Sequence, residues 1–261
     1  MDIATIAGII LALVGVLVGM VLKGAPLSAL MNVPALLIII VGTIGAVCIA
    51  TPMDNLKNIG KLFGVIFGNK KQMQPEEAMN EIIKYAELSR REGLLALEAE
   101  ESNIANPFMR RAISMINMGF TAESLEDILV EEVTALEERH AANAKIFSQA
   151  GTYAPTLGVL GAVIGLIAAL GGGADDIENL THAISAAFMA TMFGIFTGYV
   201  LWHPFANKLN EKTKIETQVM YVIIKGVVSL LSAENPRMIK ESLASFIAEK
   251  QRGKLSGGEK K

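Results

Sequence analysis

The sequence predicts an all-α fold: a polytopic membrane protein with four transmembrane helices and a helical cytoplasmic domain. Three observations carry this reading. Residues 3–22, 24–53, 146–174 and 179–207 contain no Asp, Glu, Lys or Arg, and each reaches the roughly 20 apolar residues a helix needs to cross a hydrocarbon core. The segments between them are densely charged, yet the chain as a whole is 52% hydrophobic and only 19% charged, which sets it apart from average soluble composition. No segment alternates apolar and polar residues with the period of a strand.

Orientation follows from the basic residues. Of 23 Lys and Arg, 11 lie between spans two and three and 11 follow span four, leaving Lys23 alone in a short connection. The positive-inside bias therefore puts both polar regions and the N-terminus in the cytoplasm. Met1-Asp2 supplies no basic n-region, so the first span is expected to be retained. This divides the chain into spans one and two (1–52), a cytoplasmic helical region (53–145), spans three and four with a short outer loop (146–206), cytoplasmic C-terminal helices (207–251) and a disordered tail (252–261).

Each element has a local signature. Gly15/Gly19, Gly161/Gly165 and Gly194/Gly198 repeat at four residues in spans one, three and four, a spacing that flattens one helix face for close packing. Pro34 stands near the outer end of span two, where a missing amide costs little. In the cytoplasmic region Pro75-Glu76-Glu77 suits a helix start, with acids at the positive end of the dipole, and Gly93 suits its stop. Leu94–Asn103 and Pro107–Met118 follow as helices, the second broken by Gly119. Leu125, Ile128, Leu129, Val133 and Leu136 form a helical stripe. No breaker intervenes before Gly151, which predicts one long helix running into span three. Span four should likewise continue through Asn207–Leu231. Asn235-Pro236 opens a last helix expected to end near Lys250.

Little in the chain resembles catalytic machinery. His140, His182, His203 and Cys48 have no metal-ligand spacing, no glycine-rich phosphate loop is present, and Gly171-Gly-Gly173 reads as a turn. No cofactor is expected, and a net charge of −3 does not point to nucleic acid. Cys48 is expected to be a small buried side chain. The hydroxyls within the spans are expected to bond back to their own helices. Because no span carries a carboxylate, any conducted ion must use a site supplied partly by another chain.

Two features stand out. Pro155 and Pro204 interrupt the backbone bonding of spans three and four, either as static bends or as hinges. Ser89-Arg-Arg-Glu-Gly-Leu-Leu-Ala-Leu-Glu98 is either a solvated face or an electrostatic docking surface.

The four spans, the insert between spans two and three, Gly93-Leu-Leu-Ala-Leu-Glu98, Tyr153-Ala-Pro-Thr-Leu-Gly158 leading to Gly165, and the proline after span four together resemble the MotA/PomA family of flagellar motor stator proteins. The resemblance implies a multi-pass subunit of the bacterial inner membrane. It implies a homo-oligomeric ring, a pentamer, around a MotB-like single-span partner anchored to peptidoglycan, with ion flow driving torque on the rotor protein FliG. By resemblance, conformational coupling falls on Pro155 and Pro204. Rotor contact falls on Arg90 or its neighbour Arg91 and on Glu98, with Glu131 or Glu132 as further candidates. Ala162 stands where sodium-type relatives carry a hydroxyl, which favours protons, whereas Thr191 matches a threonine near the family's ion path. The competing readings are a three-span ExbB/TolQ-like subunit energising envelope processes, a non-conducting membrane scaffold and, more distantly, an embedded enzyme.

Overall fold

The computed structural model describes residues 2–25, 27–30, 32–69, 72–171 and 177–247. Among these residues there is no strand. Eleven α-helices follow in chain order: α1 (Ile3–Leu22), α2 (Val33–Ala50), α3 (Met53–Leu56), α4 (Ile59–Phe67), α5 (Pro75–Glu92), α6 (Ala96–Glu100), α7 (Pro107–Asn117), α8 (Ala122–Gly171), α9 (Ile177–Phe196), α10 (His203–Leu231) and α11 (Pro236–Ala244). A π-helical segment, Thr197–Trp202, joins α9 to α10 without a break. Among the described residues, four helical stretches are long and apolar enough to cross a membrane: α1, α2, α8 and the run Ile177–Leu231. The chain forms two compact units, residues 1–70 with 140–210 and residues 71–139 with 211–261.

The first unit contains the apolar helices. The Asp2 carboxylate caps α1 by accepting from the Ala4 and Thr5 amides at 3.1 and 3.4 Å. Asp2 also pairs with the Lys208 ammonium, which donates to Thr5 Oγ1 at 2.6 Å. That pairing holds the Asp2 carboxyl below its ordinary value. The Asp2 amide donates to Phe67 O at 2.8 Å, so the start of α1, the end of α4 and the start of α10 meet at one place. The span expected from residue 24 is shorter. Gly24 takes a positive φ of 73°, a short 3-10 turn covers Leu27–Leu30, and α2 starts only at Val33 under an Asn32 cap.

Two short helices, α3 and α4, were not singled out by the sequence. Helix α4 buries Leu62 and Ile66 beside Val47, Ala144, Phe147 and Phe205. Phe63 meets Phe147 edge to face at 5.3 Å, and Phe67 meets Phe205 at 5.6 Å, geometry that suits the ring quadrupoles. Cys48, expected inside, is exposed on this chain, because the inward stripe of α2 is Ala35, Ile39, Thr43 and Val47.

The second unit packs α5, α6, α7, α11 and parts of α8 and α10 around Met79, Ile82, Leu97, Met109, Ile113, Leu129, Ile223 and Ile239, all essentially inaccessible. Burying each such side chain stabilises by about 1.5–3 kcal/mol. Helix α5 begins at Pro75 and stops at Gly93, whose φ of 87° favours glycine. Gly119, at φ 84°, does the same after α7. Asn106 caps α7, accepting from the Phe108 and Met109 amides, both at 3.0 Å. The helix expected over Leu94–Asn103 is α6 followed by a 3-10 turn, Glu101–Asn103. Helix α11 ends at Ala244 rather than near Lys250. The expected outer turn beyond Gly171 and the expected tail at 252–261 lie outside the described residues.

Candidate functional site

Pro155 sits inside α8, and the helix runs on through it. A proline has no N–H to give the carbonyl four residues earlier, which here belongs to Gly151. That carbonyl is covered by a glycine from the opposite helical run. A Cβ added at Gly198 would stand 2.7 Å from Gly151 O and 2.8 Å from Pro155 Cγ. No side chain fits there, so the Gly198 Cα lies directly against the proline turn.

The neighbouring positions repeat the arrangement. A Cβ at Gly194 would come within 2.7 Å of Ala154 O, and one at Gly158 within 2.8 Å of Ala190 O. A Cβ at Gly151 would meet the His203 ring at 2.8 Å. Around Pro155, α8 and α9 therefore meet backbone to backbone, the close approach that small residues permit.

The π segment gives this junction its second half. The His203 amide reaches back five residues to Gly198 O, a wide turn of the kind often placed at functional positions. The Thr197 hydroxyl donates to Phe193 O at 2.8 Å and approaches Gly194 O at 3.2 Å. Pro204 follows as the second residue of α10 and is exposed. The two prolines thus belong to one locality: Pro155 packs on Gly198, and His203, next to Pro204, packs on Gly151.

The ion-path candidates are placed less distinctively. The Thr191 hydroxyl donates to Ala187 O at 3.2 Å, committed to its own helix. Ala162 is half-buried on α8 and offers only a methyl group. Thr152 and Thr156 are exposed on the same helix, each bonded back to the carbonyl one turn earlier.

The charged candidates lie in the second unit. Arg90 and Arg91 are exposed in the last turn of α5, where the helix dipole favours cations. Gly93 turns the chain directly into α6, and buried Leu97 anchors that short helix. Glu98 is exposed beside it. One corner therefore presents both signs of charge. Glu131 is exposed on α8. Glu132 differs from it: its Oε2 lies 3.0 Å from the Arg111 guanidinium without hydrogen-bond alignment, a purely ionic contact. Glu132 is thereby engaged within the chain, and Glu131 is the freer of the two. Among the described residues, no group of three or more His, Cys, Asp and Glu can hold a metal ion.

The sequence marks Gly194 and Gly198 as a flat face, and Gly151 and Gly158 as a helix breaker and part of the proline motif, but not that these glycines face one another. The signal was present as a seven-residue glycine spacing, 151, 158 and 165, on one face of α8. Gly15, Gly19 and Gly165, singled out by the same rule, meet nothing within 4 Å on this chain. The π turn left no trace in the sequence.

Comparison with known proteins now decides the family. Over its full length the chain is 52% identical to Motility protein A of Bacillus subtilis, covering 98% of that protein. The chain belongs to the motility protein A family. The family model for the MotA/TolQ/ExbB proton channel family matches residues 100–221, and that for the motility protein A N-terminal region matches residues 6–93. Chemotaxis protein PomA of Vibrio alginolyticus is 30% identical over 97% of this chain and 98% of its own length. The flagellar MotAB stator complex from Bacillus subtilis contains a chain of the same fold, with a TM-score of 0.90, 54% identity, and coverage of 96% of this chain and 98% of that one. The structure of C. jejuni MotAB gives a TM-score of 0.89 at 30% identity, covering 95% and 97%.

Proposed function

We propose that this protein is a stator subunit of the bacterial flagellar motor, a multi-pass inner-membrane component that couples proton flow to torque. The observation carrying the reading is the full-length match to motility protein A, in sequence and in fold. Both termini and residues 53–145 lie in the cytoplasm, and the subunits form a homo-oligomeric ring, a pentamer, in contact with membrane lipid. The ring surrounds the single span of a MotB-like partner anchored to peptidoglycan, which supplies the ionisable carboxylate these spans lack. No enzymatic step is involved.

The mechanism uses the geometry above. Neutralising the partner's carboxylate removes a charge from an apolar lumen, where an unpaired charge is costly. The response is a small rotation or bend at the Pro155 turn. That turn can move because its carbonyl at Gly151 is not tied into the helix ladder, and because Gly198 and Gly158 let the facing backbone slide without side-chain interlock. Helices α8 and α10 carry Pro155 and Pro204 within unbroken helical runs, so a change at either proline is felt along its own helix. Arg90 or Arg91 and Glu98 then press on oppositely charged residues of the rotor protein FliG, with Glu131 assisting. Each exposed pair is worth about 0–1 kcal/mol, weak enough to break at every step. Ala162, with no oxygen to offer a hard cation, favours protons over sodium, and Thr191 lies near the path.

The test is complementation. In a strain lacking both native stator subunits, this chain together with its cognate partner should restore swimming, and neither alone should. Absence of rescue with both chains present in the membrane would contradict the proposal and return the scaffold reading to the front.

A further inference from the structure

The second unit buries or half-buries most of its large apolar side chains. Among its described residues, Leu94, Leu95, Met118 and Met238 are the exposed ones. Leu95 is 80% exposed and Leu94, beside it, 38%. An apolar side chain exposed on its own needs no explanation. These two are adjacent, and they lie inside the charged corner between Arg90, Arg91 and Glu98.

The backbone sets which way each leucine faces. Gly93, at a φ of 87°, ends α5, and the chain turns at once into α6. The Ala96 amide donates to Gly93 O at 3.2 Å, the Leu97 amide to Leu94 O at 3.0 Å and the Glu98 amide to Leu95 O at 3.2 Å. Such three-residue turns stack residue i under residue i+3. Leu94 therefore shares a side with Leu97, which is 0% exposed and anchors α6 in the core. Leu95 shares the outward side with Glu98, which is also exposed. The fold gains little from leucine at 95, because a side chain so exposed buries almost no apolar surface. Leu95 also stands immediately before α6 without a capping bond, where Ser, Asp or Asn is preferred. A local choice that does not serve the fold marks a functional position.

We propose that Leu95, backed by Leu94, is the apolar anchor of the rotor contact. It enters an apolar hollow of the rotor protein, whose rim carries acidic groups facing Arg90 and Arg91 and a basic group facing Glu98. The inference rests on the stator reading. The occupant follows from continuity with the charged contact: the arginines precede the leucines and Glu98 follows them within one turn, so a partner that answers those charges must cover the leucines between. Exposed ion pairs contribute little strength and much orientation, whereas an apolar side chain withdrawn from water at the centre of a contact carries much of its strength. The charges thus set the register and Leu95 provides the hold. One leucine is enough to hold and small enough to release at each step.

The test uses the full chain with its cognate partner in cells lacking both native stator subunits. Leu95→Ser, Leu95→Met and Met118→Ser are compared at equal membrane level by the rotation speed of a motor under heavy load. Removing an anchor of this kind weakens a contact about tenfold or more, so Leu95→Ser should lose rotation under load. Leu95→Met, apolar and of similar volume, should recover most of that loss. Met118, 71% exposed at the end of α7, is the control for exposure alone, and Met118→Ser should rotate normally. The purified complex carrying Leu95→Ser should melt as the unmodified one does, and a lower melting temperature would show a structural role instead. Full rotation in Leu95→Ser, or an equal loss in Leu95→Met or Met118→Ser, overturns the anchor. A photoactivatable benzophenone side chain placed at position 95 then identifies what covers it, whether or not those cells swim. Cross-linking to the rotor protein is expected; cross-linking only to a second copy of this chain, or to nothing, overturns the assignment. A failure of the stator reading would instead appear as no rotation with the unmodified chain.

Discussion

Replacing Gly198 by alanine probes the backbone contact on which the Pro155 junction depends. The new Cβ would stand 2.7 Å from Gly151 O, and 2.8 and 2.9 Å from Pro155 Cγ and Cδ. All three atoms belong to the helix backbone or to a ring fused to it, so none can swing aside. Within a helix, glycine to alanine ordinarily gains up to about 1 kcal/mol. Overpacking of this kind costs about 1–3 kcal/mol, so the clash wins, with a net loss of about 1–2 kcal/mol. For a chain of this size that lowers the Tm by roughly 2–8 °C. Trp202, the only tryptophan of the chain, lies in the π segment, and its fluorescence during thermal unfolding of the purified complex reports the junction directly. Gly15→Ala is the control, because nothing lies within 4 Å of its Cβ, and it should melt at or slightly above the unmodified chain. If Gly198→Ala melts as late as Gly15→Ala, the helices do not meet as described.

Other perturbations test other parts of the fold. A Cβ at Gly226 would come within 2.5 Å of Ile82 Cγ2, a fully buried side chain. Gly226→Ala should therefore destabilise by about 1–3 kcal/mol, and adding Ile82→Ala should cost much less than its usual 2–5 kcal/mol or so; additive losses in denaturation would refute the contact. Asn106→Ala removes the α7 cap and should cost about 1 kcal/mol, read as a lower unfolding midpoint, whereas Asn106→Asp should restore most of it. Asp2, held below its ordinary value of 3.8 by Lys208, contributes stability present above that value and lost as pH falls through its lower folded value. Asp2→Asn should lower the melting temperature at neutral pH and flatten its fall below about pH 4; an unchanged acid limb would show that Asp2 is not the group responsible.

Much of the fold was legible because membrane and helix signals are local. Charge-free runs located the spans, and α1 coincides with the run at 3–22 because lipid imposes length and composition together. Pro75, Gly93, Pro107, Gly119 and Asn235-Pro236 mark helix ends in the structure as their backbone preferences dictate. The continuity of α8 was legible from the lack of any breaker between the Leu125–Leu136 stripe and span three. Other features are tertiary and left weaker marks. Glycine spacing identifies flat faces but not what they face, so Gly194 and Gly198 were legible as a flat face while their pairing with Gly151 and Gly158 was not. Helix α4 carries its apolar residues in a short run, and its placement is set by Phe147 and Phe205, distant in sequence. The exposure of Cys48 reflects which stripe of α2 turns inward, which composition cannot determine when every face is apolar.

The account stands on proton-driven torque, and swimming speed measures it most directly. Cells lacking their own stator subunit, complemented by this chain and its cognate partner, would be tracked while sodium in the medium is replaced by potassium and then while a protonophore is added. The account predicts a speed unchanged by the loss of sodium and abolished by the protonophore. A speed that rises with sodium and survives the protonophore would contradict it, and would move the coupling ion away from the chemistry read at Ala162.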